Sequence, residues 1–169
     1  LLYHHPPTQT GNGATEAPLA SFRDAREFRN HTLLELPHHG PLAPGAAADR
    51  DYATTIARNF LFGQFMALLW PALESSRDEQ LAAIAAKSAK EARYHLRHAT
   101  DWLVKLGDGT DASHRRMQAA LDHLMPYTQE FWTPSPDEAQ AMADGTGADP
   151  RRLQAQRDQH VHAGEAGGA

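Results

Sequence analysis

The sequence predicts an all-α protein built as an antiparallel helical bundle, and three observations carry that expectation. Gln80 to Gly109 is an uninterrupted helical pattern in which Leu81, Ile84, Ala85, Ala92, Ala99, Trp102 and Leu106 recur at the i, i+3, i+4, i+7 spacing of a covered helix face. Two further long helical patterns flank it, joined to it by short breaks, and long helices joined so tightly must run antiparallel. No stretch shows the apolar–polar alternation of a half-buried strand.

Composition narrows the class of protein. A chain of 169 residues is one domain by length, with loop-rich ends at residues 1–20 and 133–169. The formal net charge is −5 and no Lys/Arg block resembles a nucleic-acid footprint, so a nucleic-acid partner is not expected. The absence of cysteine excludes disulfides, thiolate zinc sites and cysteine nucleophiles, and is compatible with a cytoplasmic location. No run approaches the roughly 18 apolar residues of a membrane span, and no basic region precedes an apolar core at the start, as a signal peptide requires. The first residue is leucine rather than methionine, and Leu1, Leu2 and Tyr3 read as the end of an earlier helix.

Residues 4–20 carry Pro6, Pro7, Gly11, Gly13 and Pro18 and read as loop, with His4 and His5 a solvated pair rather than metal ligands. Ser21 to Leu36 reads as a short helix capped by Ser21 and ended by Pro37. Its dense cluster Arg23, Asp24, Arg26, Glu27 and Arg29 is a solvated face with local ion pairs or, on a sharper reading, a surface for a partner subunit. Residues 37–50 form a Pro/Gly/Ala connector.

Asp51 to Ser75 is a second long helix. Ile56, Phe60, Gly63, Ala67 and Trp70 make one stripe, and Leu61, Phe65, Leu68 and Leu69 make the rest apolar, so it should be buried on most sides. Pro71 removes one hydrogen bond and should bend the last turn. Between Asp51 and Glu74 there is no acidic residue; Arg58, Asn59 and Gln64 are the mid-helix polar groups. The Gln80–Gly109 helix should stop at Gly107 in a glycine-ended turn. Thr110 or Asp111 then caps a third long helix to about Trp132, with a seam of Met117, Leu121, Leu124, Thr128 and Phe131 and a kink at Pro126. A short helical pattern at Asp137 to Ala143 and a polar one at Arg151 to His162 complete the chain, before a frayed end at residues 164–169.

The chemistry-bearing residues lie on the Gln80–Gly109 helix. Glu91 and His95 are four apart and His95 and His98 three apart, so one carboxylate and two imidazoles share a face with Ser88. Turned toward a core, they must be paired, hydrated or given a metal. Ser88 and Ser113 lack the sharp elbow of a hydrolase nucleophile.

The segments FRDAREFRN, TIARNFLF and KEARYHLRHATDWLVKLGDGTDASHRRMQAALDHL together resemble the structural, non-catalytic subunit of the bacterial phenylacetyl-CoA epoxidase complex, the PaaC type. The resemblance runs from about Ser21 to Trp132 and is most specific from Lys90 to Leu124. It implies a ferritin-like bundle, here partial, that pairs with a related catalytic subunit bearing a di-iron centre. That complex epoxidises the aromatic ring of phenylacetyl-CoA in aerobic phenylacetate breakdown. Two long N-terminal helices and the C-terminal segment of the family are missing from these residues, which should leave an apolar face for a partner chain. The resemblance implies no cofactor in this chain and a ferritin-like catalytic subunit as partner, with a homo-oligomer left open.

Ligand counting agrees with a non-catalytic role. A di-iron carboxylate bundle takes a Glu from each of two helices and a Glu-x-x-His pair from each of the other two. Here the spacing is Glu-x-x-x-His, and the neighbouring long helix offers no mid-helix carboxylate. Glu91, His95 and His98 are therefore expected to form a residual polar core rather than a catalytic or metal site. The expected partner interface is the Arg23–Arg29 cluster with Arg115 and Arg116. Two other readings stand beside this one: a di-iron or di-manganese enzyme whose remaining ligands lie outside this chain, and a helical adaptor module.

Overall fold

The computed structural model describes residues 30–42 and 51–166, the side chains from residue 160 onward excepted. Its elements in order are α1 (Thr32–Glu35), α2 (Tyr52–Leu73), α3 (Glu79–Gly107), α4 (Asp111–Leu124), a 3-10 segment (Met125–Trp132), α5 (Pro136–Ala143) and α6 (Pro150–Ala166). Among the described residues there is no strand. The fold is an all-α, ferritin-like antiparallel bundle.

Local chemistry sets the helix ends. Asp51 caps α2 by accepting from the Ala53 amide at 3.0 Å. Asp78 caps α3 through the amides of Gln80 and Leu81. Thr110 and Ser113 close a reciprocal capping box on α4, and Ser135 and Glu138 close another on α5. Helix α3 stops at Gly107 as expected, but without a left-handed glycine: among the described residues only Gly145 has positive φ. The His114 ring Nδ1 lies 2.7 Å from the Gly107 carbonyl oxygen and caps that end instead.

Three expectations are corrected. The helix foreseen over Ser21–Leu36 is a single turn, Thr32–Glu35, among the described residues; residues 21–29 lie outside them. Leu36 is extended (φ −62°, ψ 147°), the conformation that the following Pro37 demands. Pro126 does not kink one long helix: it ends α4, and the chain continues as 3-10 to Trp132. The last helix runs to Ala166, through residues foreseen as frayed.

Helix α2, not α3, is the centre of the molecule. It packs against α3, α4, the 3-10 segment and α6. The physical reason is its near-continuous apolar surface, which leaves no face suited to water. Ile56, Ala57, Leu61 and Phe65 of α2 are buried with Met117, Ala120 and Leu124 of α4, Phe131 and Trp132 of the 3-10 segment, Leu153 of α6 and Leu33 of α1. Phe65 and Phe131 stack at 4.8 Å, and Trp132 meets Phe65 edge-on at 5.6 Å. Helix α3 lies antiparallel on another side: Tyr52 at the start of α2 meets Trp102 near the end of α3, and Gly63 faces Leu96. Its buried residues are Ala85, Ala89, Ala92 and Ala99, a stripe of small side chains that brings the two helices close.

Candidate functional site

Glu91, His95 and His98 do share one flank of α3, as their spacing requires, but all three are exposed. Each is rotated roughly a quarter turn or more from the buried alanine stripe, at 100° per residue. Helix α2 covers only that stripe. The expected residual polar core is thus not enclosed by the described residues, and the three side chains meet water instead. The ring of Tyr94 packs edge-on to His95 at 5.6 Å on the same exposed side. Ile84 and Trp102 continue the flank as half-buried apolar positions, and Lys105 sits over the Trp102 ring at 5.2 Å.

Of the expected interface residues, Arg115 and Arg116 are exposed on α4. Arg116 lies 3.9 Å from the buried carboxylate of Asp51, so it is partly engaged within its own chain. Arg23, Asp24, Arg26, Glu27 and Arg29 lie outside the described residues.

The polar cluster the structure does assemble is elsewhere. Residues 30–42 form a strap across the N-terminal half of α2 and the 3-10 segment. Arg58 is buried in α2 and its Nη2 donates to the Leu36 carbonyl at 2.7 Å and the Pro37 carbonyl at 3.0 Å. Its Nη1 lies 3.2 Å from Nδ1 of His38, which must accept because a guanidinium only donates. Burial lowers the Arg58 pKa. The Asp51 amide donates to the His38 carbonyl at 3.1 Å, and a Cβ on Gly40 would come within 2.6 Å of both Asp51 Oδ2 and Thr54 Oγ1. At the other end Glu130 accepts from the Thr32 amide at 2.7 Å and from its hydroxyl at 2.6 Å. These bonds hold the Glu130 carboxyl below its usual range, with His31 helping and desolvation opposing. His31 is half-buried, edge-on to Phe65 and Phe131, and burial lowers its pKa against the pull of Glu138 and Glu130.

The sequence shows Arg58 as the one charged residue inside an apolar helix, which signals a buried partner. The partners are backbone carbonyls some twenty residues upstream, which no residue pattern marks. His31 and Glu130 are nearly a hundred residues apart in the chain and carry no local signal.

Residues 1–165 match the Phenylacetic acid catabolic protein family. The chain belongs to that family. Over 117 residues it is 43% identical to the PaaC-type polypeptide of the 1,2-phenylacetyl-CoA epoxidase of Escherichia coli (strain K12), an alignment covering 69% of this chain and 43% of that protein. The chain therefore spans less than half the length of this curated relative.

A family with a di-iron enzyme among its implied members invites a test of the donor set. Among the described residues no group of three or more His, Asp or Glu side chains is placed to hold one ion. Glu91 and the two histidines have no carboxylate facing them from α2, because α2 contains none. These residues do not fit a two-iron site, which needs several anionic oxygen ligands converging from different helices. Among the described residues no helix is long and apolar enough to cross a membrane.

Proposed function

We propose that this chain belongs to a non-catalytic scaffold subunit of the cytoplasmic oxygenase that epoxidises the ring of phenylacetyl-CoA, supporting a ferritin-like di-iron catalytic subunit in aerobic phenylacetate degradation. Family membership and the identity to a curated epoxidase polypeptide support the pathway. The observation that carries the scaffold role is α2. The central helix of the bundle, where a di-iron protein places bridging carboxylates, is lined by Ile56, Ala57, Leu61 and Phe65 and has no acidic side chain. In place of ligands it offers packing, and packing is what a supporting scaffold provides. The exposed flank of α3, with its half-buried Ile84 and Trp102, supplies surface for an additional helix or chain.

The test uses the full-length protein expressed with its catalytic companion. The complex is purified, its chains separated, and iron measured on each, with ring epoxidation assayed in parallel. About two irons per catalytic chain, no stoichiometric iron here, and activity only when both chains are present are the expected results. Two irons bound by this protein alone, or epoxidation without the companion, would overturn the scaffold reading.

A further inference from the structure

Helix α3 carries a second surface that neither the bundle nor the polar flank uses. Lys87, Lys90, Arg93 and Arg97 follow one another at spacings of three, three and four, so they form a continuous stripe about 15 Å long. All four are exposed and point away from the buried alanines. The segment from Lys87 to Arg97 holds four cations and one acid in a chain whose net charge is −5. Neighbours along the stripe repel: Lys87 with Lys90, Lys90 with Arg93, and Arg93 with Arg97 all sit at helical contact spacing. Lys90 and Arg93 have no acidic residue three or four positions away. Among the described residues none of the four makes an ion pair. In their midst stands Tyr94, 60% exposed, four residues after Lys90 and three before Arg97.

We infer that this stripe is a docking surface for an acidic face of the partner subunit, with Tyr94 as its apolar anchor. The inference rests on the scaffold reading above and assigns it a surface. A helix that stacks like charges without internal acids is stabilised by carboxylates brought from outside, and arginine forks suit them. Tyrosine and arginine are the residues that carry interface energy, and here they are adjacent. The stripe is convex, whereas small phosphorylated ligands take concave sites, so a protein surface fits better than a free nucleotide. Four cations in a chain of negative net charge are also too few and too short a track for a nucleic-acid footprint.

The experiment measures binding of the full-length protein to the catalytic companion across a salt series. The variants are Lys90→Glu with Arg93→Glu, the neutral pair Lys90→Gln with Arg93→Gln, Tyr94→Ala, and a control of equal charge change on α6, Arg151→Glu with Arg152→Glu. The α3 reversal should weaken binding about tenfold or more and flatten its salt dependence, with the control unchanged. Tyr94→Ala should weaken binding at every salt concentration. Should the reversal lose helicity by circular dichroism, the neutral pair gives the reading. Unchanged affinity in the α3 variants, with wild-type binding intact, overturns the docking surface alone. Failure of the wild-type protein to bind the companion overturns the scaffold reading and this surface together. Salt-sensitive binding to an oligonucleotide, lost in the reversal while binding to the companion persists, would reassign the stripe to nucleic acid.

Discussion

Arg58 shows how one side chain can decide the placement of a whole segment. Its guanidinium satisfies two backbone carbonyls and one imidazole that would otherwise be buried without donors. Arg58→Met keeps the length but removes every donor, and should cost about 2–3 kcal/mol, the loss expected when hydrogen bonds to a charged group vanish from a buried site. Urea denaturation gives the magnitude, and faster proteolysis within residues 30–42 locates it. His31 and Glu130 make the same strap sensitive to acid. Both have folded pKa values below their ordinary 6.5 and 4.5. The folded state therefore binds fewer protons than the unfolded one below each ordinary value, and stability falls as pH falls. Melting temperature should hold above neutrality, begin to drop below 6.5 and drop again below 4.5. In calorimetry over this range, His31→Gln should remove the first decline and Glu130→Gln the second. A melting curve that rises on acidification would contradict the assignment.

At the scale of the helix, α3 presents two neighbouring stripes with opposite fates. Ala89 is 1% exposed against α2, so Ala89→Leu should overpack that contact and cost about 1–3 kcal/mol. Glu91, two residues later, faces water, so Glu91→Ala should change the stability of this chain by less than about 0.5 kcal/mol. Equilibrium denaturation of the two variants checks which stripe is covered; a large loss from Glu91→Ala would restore the buried polar core. Thr110→Ala breaks the capping box of α4 and should cost about 1 kcal/mol. Helix boundaries were legible because their causes are local: Asp51, Asp78 and Thr110 each sit beside the amides they cap. The turn after Leu124 was legible only in part. Pro126 announces a break, but the 3-10 form depends on seating Phe131 and Trp132 against Phe65, which is far away in sequence.

For the whole molecule, the core is organised by aromatic contacts that tie distant segments together. Phe131 meets Phe65, Phe62, Trp132 and His31. Phe131→Ala should cost about 3–5 kcal/mol and loosen strap, 3-10 segment and α2 together, seen as one cooperative transition at lower denaturant. Arg157 lies over the Trp132 ring at 4.9 Å and fastens α6 to the same cluster.

The sequence by itself determined the all-α class, the approximate extent of the three long helices, their caps and the lack of acidic ligands in α2. Those properties follow from periodicity and near-neighbour chemistry, which a single strand of residues carries in full. Only the tertiary structure decided that α2 is central, that Glu91, His95 and His98 face outward, and that Arg58 clasps the strap. The spacing on α3 is compatible with either of two adjacent faces being buried, and a helix cannot choose between them alone. The choice belongs to the helices packed against it.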